Sequence, residues 1–430
     1  MGRLKAAASG DILERDGRPF FLLSDTDWMA FQKLSTQEWR ELVARRKQQG
    51  FNALQISVMP IAHDNAVSER DIHPFVLKDG KYQFSEINGA YFDKAEEMLQ
   101  VMAEYDMIPF LHLFWVNYIP DTWASKLSPD TVIPFERVRP LAVYMLQRFR
   151  KFDPIYSVSG DTNFETDRVV DYYLEILDVL HEMDPDGLTT LHLQPGADPP
   201  EVLRRHPQYH FYAYQSGHGI DETEGVDLHS NQSAMLTCPE QFLNKKERKP
   251  IVNTEPCYEG HSFGFHYGRF QAYDVRRVAW TSLLSGAKAG FSYGAHGVWQ
   301  MYRRGETFNN ISYSGMPYDW HAALQFPGAW DVGYVRWLFV HYDMFRLQPS
   351  KALEARSELI RMAESDDMVV IYMPYHDEFT VLRDLSDYTV EMIALESRRV
   401  IVPLYTVSEG RTHFTLSDCN EDMLVIAKKC

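Results

Sequence analysis

The chain has 430 residues and a formal charge of −17, with 45% hydrophobic and 24% charged side chains. That balance fits a large globular protein and excludes nucleic acid and anionic lipid surfaces as partners, since both require clustered Lys and Arg. The one basic run, Lys245-Lys246-Glu247-Arg248-Lys249, is short and reads as a solvated loop before a strand.

No apolar run approaches membrane-spanning length, and the opening MGRLKAAASGDILERDG lacks the apolar core of a secretory signal. The expectation is a cytoplasmic chain with reduced thiols and no membrane contact. Cys238, Cys257, Cys419 and Cys430 form no CxxC pair and have no His at metal-ligand spacing, so no metal and no cofactor are expected. Nothing in the sequence indicates an oligomeric state.

In chain order, strand-like runs alternate with helix-like segments. The first strand is Pro19 to Leu23, running into Ser24-Asp25-Thr26-Asp27-Trp28. Ser35 with Glu38 three residues on predicts a capped helix from Thr36 to Gln49, stopped by Gly50. The second strand, Phe51 to Val58, leads into a long segment, Met59 to Asn88, whose Lys78-Asp79-Gly80-Lys81 predicts a hairpin turn. A helix over Ala90 to Tyr105 precedes the third strand, Met107 to Leu113, which ends at Phe114-Trp115. A rim loop with Tyr118 and Trp123 follows, then a helix from Pro134 to Lys151 and the fourth strand, Ile155 to Ser159. Helical periodicity spans Arg168 to Met183.

The fifth strand is Leu188 to Leu193, ending at Gln194, and a short helix spans Pro200 to Arg205. The sixth is Tyr209 to Tyr214, ending at Gln215-Ser216-Gly217-His218. KPIVNTEPCYEG (Lys249 to Gly260) supplies the seventh, Tyr273 to Leu284 the next helix, and Ala289 to Gly294 the eighth strand. Eight strand-then-helix units predict a (β/α)8 TIM barrel over residues 1–348. A doubly wound sheet is the alternative, but no G-x-G-x-x-G follows the first strand and no Walker motif occurs. From residue 349 to 430 short strands separated by Asp, Gly and Ser predict a small antiparallel β-domain, either a cover for the barrel or a carbohydrate-binding module.

Barrel active sites form at the C-terminal ends of the strands. The polar residues predicted there include Asp25, Asp27, Gln55, His112, Asp161, Asn163, Gln194, Tyr214, Glu255 and His296. The ring holds no Ser-His-Asp order and no phosphate-cradling loop. Carboxylates on strands four and seven flank one mouth, the arrangement glycoside hydrolysis uses: one protonates the leaving oxygen while the other attacks the anomeric carbon or activates water.

FFLLSDTDWMAFQKLSTQEWRELVARRKQQGFNALQISV, VSGDTNFE, KPIVNTEPCYEG and RRVAWTSLLSGAKAGFSYGAHGVWQ together resemble the apiosidase-like glycoside hydrolases. The resemblance covers most of residues 15–345 and implies a retaining (β/α)8 glycosidase. Carried over motif by motif, it implies that Asp161 of VSGDTN is the acid/base and Glu255 of NTEP the nucleophile. Barrels of this clan commonly carry Asn-Glu where this chain has Gly160-Asp161, which leaves Glu165 as a competing acid/base.

Further substrate contacts are expected from Asp25, Trp28, Gln55, His112, Trp115, Asn163, Gln194, Glu259, Tyr293, His296 and Trp299, with Tyr214 placed to hydrogen-bond the nucleophile. Packed or rim roles are open for each of these. The partner expected is a neutral glycan or glycoside, with a furanoside such as apiose among the candidates. The alternatives are a non-catalytic carbohydrate-binding barrel and a metal-dependent hydrolase, whose H-x-H ligands are missing.

Overall fold

The structure is a computed structural model and describes residues 2–63, 65–219, 233–416 and 420–430; Cys419 lies outside the described residues. Its centre is eight parallel strands: β1 (Leu22–Thr26), β2 (Ala53–Ser57), β3 (Ile108–Trp115), β4 (Ile155–Gly160), β5 (Thr189–Thr190), β6 (Tyr212–Gln215), β7 (Ile251–Glu255) and β8 (Gly290–Tyr293). They hydrogen-bond in the order β5-β4-β3-β2-β1-β8-β7-β6, and a parallel bridge from His192 to Ala213 closes the sheet into a barrel. These strands are buried along their whole length, which is why they read as near-continuous apolar runs.

The main surrounding helices are α1 (Thr36–Gln48), α2 (Gly89–Glu104), α3 (Phe135–Phe149), α4 (Asp167–Met183), α5 (Ala234–Leu243), α6 (Ala272–Leu284) and α7 (Gly328–His341). The capping box predicted for α1 is present: Ser35 Oγ accepts from the Glu38 N–H at 3.3 Å, and Glu38 Oε2 accepts from the Ser35 N–H at 2.9 Å. The hairpin pairs Phe75–Lys78 with Lys81–Ile87, and both turn residues, Asp79 and Gly80, have positive φ.

Two strands differ from the sequence reading. The run beginning at Pro19 breaks at Phe21, and Arg18–Phe20 joins Leu13–Arg15 and Leu4–Ala6 in a three-stranded antiparallel sheet. Leu4 and Leu13 from that sheet pack with Leu22, Phe110, Phe211 and Val252, closing the barrel at the end opposite the strand tips. The fifth strand shrinks to Thr189–Thr190, its continuation held by single bridges at His192 and Leu193.

The C-terminal region forms two antiparallel sheets, of six strands from Gln348–Pro349 to Arg399–Ile401 and of four around Phe379–Val381 and Arg411–Phe414. They enclose their own core, including Val369, Ile371, Phe379, Phe414 and Val425. The run predicted over Val400 to Tyr405 is divided between the two sheets, with Pro403 in the break. The region docks on α6 and α7: Arg276 donates to both oxygens of Asp422, at 3.1 and 2.8 Å, and to Asp331 at 2.6 Å.

Candidate active site

Strand alternation decides which side chains enter the barrel. Ser24, Gln55, His112 and Ser292 point inward and form a hydrogen-bonded floor. Gln55 Nε2 donates to Ser292 Oγ at 3.0 Å and to the Thr254 carbonyl at 2.9 Å, and His112 Nε2 lies 3.1 Å from Gln55 Oε1. Above this floor opens a cavity of about 570 Å³. Asp161, Glu255, Trp28, Trp115, Gln194 and Trp299 all line it.

Glu255 ends β7 and is 8% exposed. His192 Nε2 lies 2.8 Å from its Oε2 and His218 Nε2 lies 3.0 Å from its Oε1. Burial opposes ionisation, but the hydrogen bonds from the two histidines outweigh it and hold the carboxyl well below the usual range. Glu255 is an ionised carboxylate with one histidine on each oxygen.

Asp161 follows Gly160, where a Cβ would lie 2.1 Å from the Trp115 ring. The missing side chain lets Trp115 lie across the end of β4, and Asp161 then takes a left-handed turn, φ 56°, that aims it into the cavity. Its Oδ1 accepts from Gln215 Nε2 at 2.6 Å. Burial first, and then the Glu255 charge, push its carboxyl up to about 7, against smaller opposing effects of His192 and Gln215.

Glu165, the competing acid, does not line the cavity. Its Oε1 accepts from the Trp123 N–H at 2.8 Å, at the start of the short helix Trp123–Leu127. It therefore caps a helix of the rim loop rather than opening α4, which is capped by Thr166.

Several other expected contacts fall elsewhere. Asp25, Tyr214 and Tyr293 sit on the helix-facing sides of their strands. Asp25 is fully buried against Arg46 of α1, with Oδ2 2.5 Å from Nε. Tyr214 packs on Phe242 of α5, and its buried hydroxyl has no hydrogen-bond partner among the described residues. Tyr293 donates to Glu259 Oε2 at 2.7 Å. Glu259 also accepts from the Gly328 N–H at 2.9 Å and borders a separate depression. Burial pushes it up to about 7 in spite of those two donors.

Gln55 and His112 belong to the floor, below the cavity wall. Asn163 is exposed and off the wall. His296 lies behind His261, its Nε2 bonded to the Gly315 carbonyl at 2.9 Å, and burial pushes it down to about 3.

The residues that sequence reasoning did not single out are those that hold the two acids: His192, His218 and Gln215. Thr190 and His192 alternate with Leu191 and Leu193, a pattern that marks His192 as inward-facing. Gln215 escaped because the β6–β7 register shifts between Tyr214 and Gln215, putting Gln215 opposite Glu255. Tyr258 and His261, from the loop after β7, complete this side: Tyr258 accepts from Trp28 Nε1 at 3.0 Å, and His218 stacks on His261 with centroids 4.4 Å apart.

Among the described residues no three His, Cys, Asp or Glu side chains are grouped to hold a metal, and no helix is long and apolar enough to cross a membrane.

Among solved structures, the chain is similar to a glycoside hydrolase at TM-score 0.79 and 18% identity, covering 100% of this chain and 97% of that one. A family 5 glycoside hydrolase from Bacteroides vulgatus ATCC 8482 gives TM-score 0.80 at 18% identity, over 100% and 93%. A putative glycoside hydrolase from the same organism gives 0.68 at 17%, over 99% and 82%. At such identities the likeness shows the fold: a barrel with an appended β-domain. No curated protein sequence matches. The apiosidase-like catalytic domain, by contrast, matches residues 8–346, most of the chain and all eight barrel strands. The chain belongs to the apiosidase-like family of glycoside hydrolases.

Proposed function

We propose that this glycoside hydrolase is a retaining enzyme in which Glu255 is the nucleophile and Asp161 the acid/base. The observation that carries the reading is the pair of opposed states in one cavity: Glu255 held ionised by two histidines, Asp161 pushed up to about 7. A displacement of this kind needs a carboxylate to attack the anomeric carbon and a carboxylic acid to protonate the departing oxygen. Asp161 then serves as base for the water that releases the sugar. Retention uses carboxyls about 5 Å apart; the two acids line one cavity, and Gln215, which donates to Asp161, is paired opposite Glu255 across β6 and β7. A barrel that only binds glycans has no use for two acids tuned in opposite directions.

The substrate proposed is neutral. Among the described residues lining the cavity there are two carboxylates and no Lys or Arg, so a uronate would find no counter-charge. Trp28, Trp115 and Trp299 supply flat faces for sugar C–H groups. A furanoside such as apiose is the first glycone to test.

The experiment is a screen of aryl furanosides and pyranosides, with product configuration followed by NMR at early times. Retained configuration is expected, with turnover abolished in Glu255→Gln and Asp161→Asn while both stay folded. Inverted product refutes the nucleophile role, and near-wild-type hydrolysis by either variant refutes the assignment of that residue.

A further inference from the structure

We infer that the leaving-group side of this cavity is built for an apolar, aromatic aglycone rather than for a further sugar, an inference that rests on Asp161 as the acid. The acid marks the side on which the departing oxygen lies. Beside it stands Trp123, whose Nε1 donates to the Asp161 carbonyl at 3.1 Å and whose backbone N–H is taken by Glu165 at 2.8 Å. With both N–H groups occupied, Trp123 offers the cavity its ring.

His63 meets that ring edge-on, with centroids 4.6 Å apart at 74°. Leu127, at the other end of the short helix, and Ile61 extend the wall; Leu127 is 67% exposed although it borders the cavity. Leu127 and Ile61 both line the cavity, so an apolar group seated on this side would cover apolar surface with a gain in free energy.

Among the described residues, the polar atoms beside Trp123, Leu127 and Ile61 are few. His63 Nδ1 is buried without a partner among the described residues, and Gln194 lines the cavity just past the bridge at Leu193. Burial pushes His63 down to about 4, so the ring is neutral at pH 7 and brings no charge to the wall. Two such points suffice to orient one hydroxyl substituent. A sugar carries at least three hydroxyls, and each one buried against Leu127 or Ile61 without a partner would cost binding. Trp123 alone would serve a sugar face or an aromatic ring equally. Leu127 and Ile61 decide between them.

The test compares benzyl with methyl glycosides of one sugar, the first that the screen shows to be turned over or, failing that, β-D-apiofuranose. Benzyl and methyl alcohols are similar leaving groups, so the ratio of their kcat/KM values reads the wall and not the chemistry. Burying the phenyl ring should favour the benzyl glycoside about thirtyfold in the wild type. Leu127→Asn, at an exposed position that tolerates the change, should lower the ratio severalfold, and Trp123→Ala should bring it to about threefold or less.

The same ratio is read without turnover from calorimetric affinities for Glu255→Gln. A ratio near one in the wild type, a ratio unchanged in both variants, or a disaccharide of the same glycone outperforming the benzyl glycoside overturns the inference. Preserved affinity ratios with no hydrolysis by the wild type would support the aglycone wall and refute the catalytic assignment instead.

Discussion

Two buried carboxylates at barrel strand ends meet different fates in this molecule. Glu255 opens into the cavity and has a histidine on each oxygen, and it stays ionised. Asp25, one residue before the end of β1, lies on the opposite face of the sheet, closed in between strand and α1 with Arg46 as its counter-ion. Behind Asp25, Asp27 is buried with no hydrogen-bond partner for either oxygen among the described residues, and burial together with the Asp25 charge holds it well above the usual range. Burial alone therefore does not make a reactive acid. Access and the number of donors separate the nucleophile candidate from a structural ion pair.

The largest test of that contrast substitutes both acids. Glu255→Gln should lower kcat/KM by at least ~10³-fold, the scale expected when a covalent nucleophile is removed, while the enzyme stays folded and loses only the stability that its depressed carboxyl contributes at neutral pH. Asp25→Asn should do the reverse. Activity at 20 °C should stay within about twofold, while urea denaturation shows a loss on the order of 3 kcal/mol, because Arg46 is left buried without its counter-charge. A folded Asp25→Asn enzyme as inactive as Glu255→Gln would collapse the distinction.

Removing one donor gives the next effect. His218→Ala should reduce kcat by ~10–100-fold, the scale of a hydrogen bond to a charged group, measured with a substrate whose first step is rate-limiting. Asp161 gives a pH signature. With its carboxyl near 7, kcat/KM should fall as pH rises through about 7, when the proton needed by the leaving group is lost.

Stability should follow the same group. A carboxyl whose folded pKa is raised favours the native state at pH below its unfolded value, and that contribution is lost as pH rises to the folded value. Asp161→Asn should therefore raise the melting temperature at pH 8 and leave it almost unchanged at pH 4. The smallest effect concerns Gly328, where an added Cβ would lie 2.4 Å from Glu259 Oε2. Gly328→Ala should cost on the order of 1 kcal/mol by displacing that carboxylate, and should raise KM a fewfold through Tyr258 and His261, which flank Glu259.

Much of the fold could be read from sequence because the signals were local. The apolar strands, the Ser35–Glu38 cap and the Asp79-Gly80 turn each rest on a few neighbouring residues. The N-terminal sheet could not be read in that way, since three-residue strands such as Leu4–Ala6 give too little alternation to detect. The site divides similarly. Asp161 and Glu255 stand where strands meet loops and were visible as such. Tyr214 and Gln215 are neighbours, and one residue along a strand exchanges the inner face for the outer; by the same rule Asp25 and Tyr293 face the helices. His192 and His218 come from loops or strands distant in sequence and meet only at Glu255, a convergence that no spacing reveals.

Gly328 also opens a line of force across the molecule. The loop that follows Glu255 is tied by Glu259 to the first residue of α7. One turn along, Asp331 is gripped by Arg276, and the same guanidinium clasps Asp422 of the C-terminal sheets. The appended sheets thus anchor the helix against which the loop after Glu255 is set. A barrel cut free of them would keep both acids in its sequence, yet Arg276 would lose two of its three hydrogen bonds, and the slack would reach Glu259 before it reached the sugar.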